Sequence, residues 1–250
     1  MTPAIVLRSR PFGESDKIVS FFTQDYGKVT GIAKGAKRSR KRFVNSLEPF
    51  SLVNLYFYNS LHGSLAFVHA CNLVQAFNDL STSLEKVAHA SYIVEITEAL
   101  SSEREENRLI FEHLKQALSL VEAEGPSLPF LTYFELKLLK LAGYEPMLEH
   151  CRRCAKNWRV ESQVEWCFSP RDGGILCGSC SAFRKATMPL SLAAVDALSN
   201  LQKANPVFSH HAAPTPSVLK EGQAVLLRFI QFQVDKELKS ARFIDTFSLA

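Results

Sequence analysis

The chain has no Walker phosphate loop, no GxGxxG turn and no HExxH pair. The common nucleotide-hydrolase, dinucleotide and zinc-protease chemistries therefore have no motif to run on. The zinc-deaminase pattern is missing too, because neither Cys-x-x-Cys pair follows a Pro and no His-x-Glu lies upstream. The acidic residues form no evident metal-binding cluster. Asp16, near Glu14, reads as a turn residue rather than an acid/base. The expectation is a protein that is not an enzyme. Internal repeats and low-complexity tracts are also absent.

An export signal is lacking as well. The apolar run Met1-Thr-Pro-Ala-Ile-Val-Leu7 meets Arg8 at once and is too short for a signal core. The longest stretch without Asp, Glu, Lys or Arg runs from Pro49 to Asn78. Asn54, Asn59, Ser60, His62, Gly63, Ser64 and His69 interrupt it, so two strands with a turn explain it better than a membrane span. We expect a cytoplasmic, nucleoid-associated protein without membrane contact. A reducing compartment makes cysteine pairs metal ligands before disulfides.

The 250 residues are 46% hydrophobic and 22% charged, an ordinary globular balance. The net charge of +4 is unevenly placed. Residues 1–80 carry ten Lys/Arg against five Asp/Glu, leaving 19 of the 29 basic and 20 of the 25 acidic residues to the rest. All the excess positive charge is in the first third. That asymmetry points to a polyanion partner, nucleic acid before membrane surface.

Five short apolar runs, Ile5–Leu7, Ile18–Phe22, Val29–Ala33, Phe50–Tyr58 and Leu65–Cys71, predict strands with Gly-marked turns. Five strands in such a length suggest a small closed barrel of the OB-fold kind. Near residue 80 the period becomes helical. Thr82-x-x-Glu85 reads as a capping box. Helices are predicted after Thr82, where Leu84, Ala88, Tyr92 and Ile96 fall at helical spacing, and near 105–124 and 127–142, the last stopped by Gly143. Pro189 and Pro216 are expected to open two more, with a Pro/His/Ala-rich loop from Asn205 to Pro216 between them. The fold class is α+β. An N-terminal OB-fold β-barrel (1–79) precedes an α-helical bundle (80–148 and 188–245), which carries an inserted four-cysteine zinc module (149–187).

The strongest chemical signal is Cys151-Arg-Arg-Cys154 followed, after 22 residues, by Cys177-Gly-Ser-Cys180. Two such knuckles join into a closed four-sulfur site that suits one zinc ion. The spacer leaves room for a hairpin, with tight turns at Gly173-Gly174 and Gly178. Four protein ligands leave no open position, so the zinc is structural. The competing reading is a reduced or redox-active dithiol pair. His150 and Cys167 lie close enough to replace a ligand, but read more simply as a surface His and a buried Cys. Cys71 reads as core.

The second signal is Lys34-Gly-Ala-Lys37-Arg38-Ser-Arg40-Lys41-Arg42, with six cations in nine residues and no acid. Clustered cations on a Gly-containing connection can track phosphates. Lys28 lies beside the run, and Arg8, Arg10 and Lys17 join it if the strands pack as a barrel. A merely solvated loop is the competing reading. Tyr56, Phe57 and Tyr58 could stack on bases. Alternation puts Phe57 on the opposite face from its neighbours, so at least one of the three is core.

Three patterns together resemble the RecO family of bacterial recombination mediators. The first is Glu14-Ser-Asp16-Lys-Ile-Val19 with Thr23, Gly27-Lys28, Ile32-Ala-Lys34-Gly35-Ala-Lys37-Arg38 and Leu47-Glu-Pro-Phe50. The second is Phe134-Glu-Leu-Lys-Leu-Leu with Gly143-Tyr144-Glu-Pro146 running into Cys151. The third is Phe168-Ser-Pro170 with Gly173-Gly174-Ile-Leu-Cys177. The resemblance spans about residues 4 to 240. It implies binding of single- and double-stranded DNA and annealing of complementary strands. It also implies partnership with RecR and with the C-terminal tail of single-stranded-DNA-binding protein, and indirectly with RecA. Lys34, Lys37, Arg38 and the four cysteines are the matching positions; Arg40-Lys41-Arg42 is richer in charge than the family needs. The competing function is a zinc-containing protein-interaction scaffold without direct DNA function.

Overall fold

A computed structural model describes residues 1–59, 65–160, 164–204 and 214–247. Its strands are β1 (Thr2–Phe12), β2 (Asp16–Thr23), β3 (Gly27–Ala33), β4 (Leu52–Tyr58), β5 (Ala66–Gln75), β6 (Trp166–Ser169), β7 (Gly174–Cys177) and β8 (Met188–Pro189). Its helices are α1 (Leu84–Leu100), α2 (Arg108–Glu124), α3 (Leu128–Leu141), α4 (Gly178–Ser181), α5 (Leu192–Lys203), α6 (Pro216–Val234) and α7 (Ala241–Phe247). The turn expected at 60–64 and most of the loop expected from Asn205 lie outside the described residues.

The first five strands close into the expected OB-like barrel, in the order β1-β2-β3-β5-β4. Neighbours are antiparallel except β3 and β5, which run parallel through Gly31↔Ala66 and Ile32↔Phe67. β1 is long enough to serve two partners: Thr2–Ile5 pair with β4 while Ala4 to Phe12 follow β2. A bulge between Val6 and Arg8 bends it for that double duty. Closure of the barrel depends on Gly31, where a Cβ would lie 2.7 Å from Val68 Cγ2. Ala4, Val6, Val19, Phe21, Val53, Leu55 and Val68 fill the interior, together with Cys71 as expected. Burial pushes the Cys71 thiol up to about 12.

By compactness the chain forms two units, Met1–Gly125 with the segment from Leu238, and Pro126–Glu237. In the first, α1 packs on α2 and α7 and touches β1. Glu95 of α1 accepts the backbone N–H groups of Lys239 (3.1 Å) and Ser240 (2.8 Å) and the Ser240 hydroxyl, placing a carboxylate at the start of α7. In the second, α3, α5 and α6 pack on one another. The β6–β7 hairpin meets α6 through Phe168 and Phe229, 5.3 Å apart edge to face.

Helix starts follow the local chemistry with two differences. Asn107, Ser127 and Ser191 accept N–H groups three residues on, capping α2, α3 and α5. The Thr82 capping box does not form: Ser83 is the N-cap residue, and the Thr82 hydroxyl donates to Asp79 O instead. Pro189 does not open a helix either; it pairs with Cys167 in β8, and α5 begins after Ser191. Among the described residues no helix is long and apolar enough to cross a membrane.

Candidate nucleic-acid interface and metal centre

The basic run leaves the end of β3 and is held to the barrel at both ends. Gly35 takes φ 69°, a left-handed conformation suited to glycine, and starts a single 3-10 turn, Ala36–Arg38. The Gly35 N–H donates to Asp16 Oδ1 at 2.8 Å, and the Ser15 hydroxyl donates to the same oxygen. These two bonds hold the Asp16 carboxyl below the usual carboxylate range. Lys37 N–H donates to Ser15 O at 2.9 Å, and the Arg42 guanidinium to Lys34 O at 2.8 Å. Arg42 O accepts the Cys71 N–H, after which Phe43 and Leu47 enter the barrel core. These bonds fix the backbone of the run, while its cationic side chains stay exposed.

The ten sequence-assigned cations divide by what they touch. Arg8 pairs with Glu98 at 2.7 Å, and Lys17 with Glu48 at 2.9 Å. Lys28 is the most committed. Its Nζ donates to the carbonyls of Glu98 (3.0 Å) and Ser101 (2.9 Å), and Glu103 lies 3.9 Å away. Lys37 Nζ donates to Gly13 O at 2.8 Å, a neutral partner, and its charge acts on the nearby Asp16 carboxylate without forming an ion pair. Lys34 is exposed, with its Nζ 6.0 Å from the Phe67 ring. Arg42, besides holding Lys34 O, lies over Phe43 at 5.0 Å. Arg10, Arg38, Arg40 and Lys41 are exposed and reach no ion-pair or hydrogen-bond partner among the described residues. The structure thus gathers the loop cations and sets Arg8, Lys17 and Lys28 apart in internal pairs.

Alternation in β4 is broken by a bulge between Tyr56 and Phe57. Phe57 packs against the core and edge-on to Tyr26, while Tyr58 is 62% exposed. Tyr58 meets the ring of His69 at 5.7 Å. Phe67 and His69 were missed by the sequence reading. Their i, i+2 spacing on β5, with the buried Val68 between them, was the available signal.

The second site lies in the Pro126–Glu237 unit. The sulfurs of Cys151, Cys154, Cys177 and Cys180 all lie within 4.8 Å of one another, and those of Cys154 and Cys177 are 3.6 Å apart. Four thiolates around zinc at ~2.3 Å stand about 3.8 Å from each other, so the spacing suits a tetrahedral ion. The β6–β7 hairpin makes it possible by returning the chain across the long spacer. Met147 accepts and donates backbone bonds beside the turn, which brings the first knuckle to β7. Gly174 is needed there, because a Cβ would lie 2.6 Å from Met147 O. Asp172 pins the hairpin by pairing with Arg184 (3.0 Å) and Arg153 (3.7 Å).

The thiols influence one another strongly. Burial opposes charge on Cys151, but N–H groups of Cys154, Cys177 and Arg153 outweigh it and bring its thiol down to about 6. Burial and then the neighbouring sulfurs push Cys180 up to about 12. One negative charge is supported and further ones are resisted, which is the balance a dication would relieve. These four residues would hold the metal, and it would supply a structural cross-link. Cys167 is buried with its thiol directed at Leu176 O, and neither it nor His150 joins the cluster.

Family models decide the relationship. The model described as Recombination protein O N terminal matches residues 1–77, and that described as Recombination protein O C terminal matches residues 81–242. The chain belongs to the RecO family. The two RecO models meet where β5 gives way to α1. A DNA repair protein RecO of Syntrophus aciditrophicus is 33% identical over 246 residues, 98% of this chain and 94% of the relative. The RecO proteins of Caldanaerobacter subterraneus and Symbiobacterium thermophilum are each 32% identical over 97% of this chain, covering 96% and 95% of the relatives.

Proposed function

We propose that this RecO-family chain is a DNA-binding recombination mediator. It binds single and double strands, anneals complementary ones and assists loading of recombinase onto single-stranded DNA during repair. Relatives carrying the name DNA repair protein support the repair role. The observation that carries the DNA contact is the loop 34–42, six cations without an acid, fixed to the barrel by Asp16, Ser15 and the buried Phe43.

The mechanism is electrostatic and makes or breaks no covalent bond. Loop cations neutralise phosphates on two strands and release their counterions, which lowers the repulsion that keeps complementary strands apart. In this reading residues 1–79 handle DNA, the helical segments 80–148 and 188–245 take protein partners, and zinc staples 149–187. The partners are RecR and the acidic tail of single-stranded-DNA-binding protein, with RecA acting downstream. The protein works at the nucleoid, in the cytoplasm.

Annealing of two complementary labelled strands, bare and coated with single-stranded-DNA-binding protein, tests the reading. Acceleration that falls with added salt supports it. No acceleration, and no strand binding at low salt, would sink it in favour of the interaction scaffold.

A further inference from the structure

The loop that carries the cations also borders an open concavity of about 560 Å³. Lys37 and Arg40 line it, as do Phe43, Val44 and Asn45, and the Lys17–Glu48 ion pair forms part of its wall. Lys17 and Glu48 cancel each other. Lys37 and Arg40 are the other cations of the lining, and neither forms an ion pair among the described residues.

The lining has an apolar part as well. Val44 is 50% exposed although it directly follows Phe43, which is anchored in the barrel core. Asn45 holds a left-handed φ of 50°. Its side-chain amide both donates and accepts, so it can meet the hydrogen-bonding edge of any base. The cavity is formed in advance, since the bonds from Gly35, Lys37 and Arg42 and the burial of Phe43 and Leu47 fix its rim. Binding there would spend little on ordering the loop.

A ligand that matches these features is flat and apolar on its faces, has a hydrogen-bonding edge and carries a phosphate. A nucleotide has all three, and the cavity lies within the size range of small-molecule sites. We infer that it seats one unpaired nucleotide of a single strand, with the base against Val44 and the rim of Phe43 and the phosphate on Lys37 and Arg40. The inference rests on the proposed DNA-binding reading and adds a way for the barrel to tell strands apart. Bases in a duplex are stacked and paired, so entry would require extrusion. Duplex therefore binds by phosphate contacts alone.

The test uses the full chain and three fluorescent probes of equal length: a single strand, the same strand with abasic sites throughout, and a duplex. Wild-type protein should bind the normal single strand about tenfold more tightly than the abasic one. Val44→Trp obstructs the apolar face on which the base would lie and leaves every cation in place. It should weaken the normal strand by about tenfold, to the abasic level, while duplex affinity and its salt dependence stay unchanged. Equal affinity of wild type for normal and abasic strands overturns the inference, and needs no variant to fold. So does a Val44→Trp protein that binds all three probes as wild type does. Displacement of the strand by a deoxynucleoside monophosphate at a matching concentration would assign the cavity to free nucleotides and overturn strand capture. If wild type binds none of the probes at low salt, the DNA-binding reading itself fails.

Discussion

Replacing Arg38, Arg40 and Lys41 together with Ala separates loop cations that are free from barrel cations that are paired. All three are exposed and have no side-chain ion-pair or hydrogen-bond partner among the described residues, so each substitution should change stability by no more than about 0.5 kcal/mol. If the six cations of the 34–42 run each contact a phosphate of a single strand, the logarithmic salt slope is about −4, at ~0.7 per contact. Removing three brings it to about −2. Between 50 and 200 mM salt, wild-type affinity should then fall ~300-fold and that of the variant only ~20-fold. Lys28→Ala is the counterpart. It strands two carbonyls that Lys28 now satisfies, which costs about 1–3 kcal/mol, and it should leave the slope alone. Fluorescence anisotropy over a salt series reads both slopes, and thermal unfolding reads both stabilities. A triple variant with the wild-type slope, or a Lys28 variant that flattens it equally, would refute the division of the cations.

Other predictions concern the metal centre and the loop. The chain's two tryptophans, Trp158 and Trp166, are both buried within the segment between the expected limits 149 and 187. Stripping the metal with a strong chelator should therefore shift tryptophan emission to the red, because structural zinc contributes folding energy directly; an unchanged spectrum counts against a metal staple. Gly174→Ala should cost about 1–3 kcal/mol in thermal unfolding and release metal at lower chelator concentration, since the new Cβ meets Met147 O. Phe43→Ala should cost about 3–5 kcal/mol and raise hydrogen exchange across 34–42, because that ring anchors the loop in the core. Asp16 has a lowered folded pKa, so its hold on Gly35 is complete above the ordinary aspartate value of 3.8 and fades as pH falls through the lowered one. The Gly35 amide resonance should titrate with a midpoint below 3.8, and a midpoint at or above that value would show that the bond does not form.

The places where the sequence reading went astray share a cause. Thr82 and Ser83 are both competent caps, and the choice between them falls to the turn Asn78–Thr82, whose carbonyls draw the Thr82 hydroxyl away. Pro189 sits where a helix start was expected, but Cys167 offers it an edge-strand position that needs no N–H. α7 carries little periodic signal of its own and is started by Glu95, 145 residues before Ser240. For Pro189 and α7 a segment distant in sequence settled what the local pattern left even, and for Thr82 the neighbouring turn did.

Local spacing was enough for the knuckles, the five strands and the charge asymmetry, because each is written in residues only a few positions apart. Two Cys-x-x-Cys pairs determine a four-sulfur site almost by themselves, and alternation determines which face of a strand is buried. The division of the cations could not be read that way. Lys17, Lys28 and Lys37 are the same residue type in the same basic third of the chain. Glu48 compensates Lys17, the carbonyls of Glu98 and Ser101 hold Lys28, and Lys37 meets only the neutral Gly13 carbonyl at hydrogen-bond distance. Their partners lie 24 to 73 residues away in sequence. Only the closed barrel, with α1 packed beside it, brings those groups within hydrogen-bond distance and decides which positive charges remain without an ion pair.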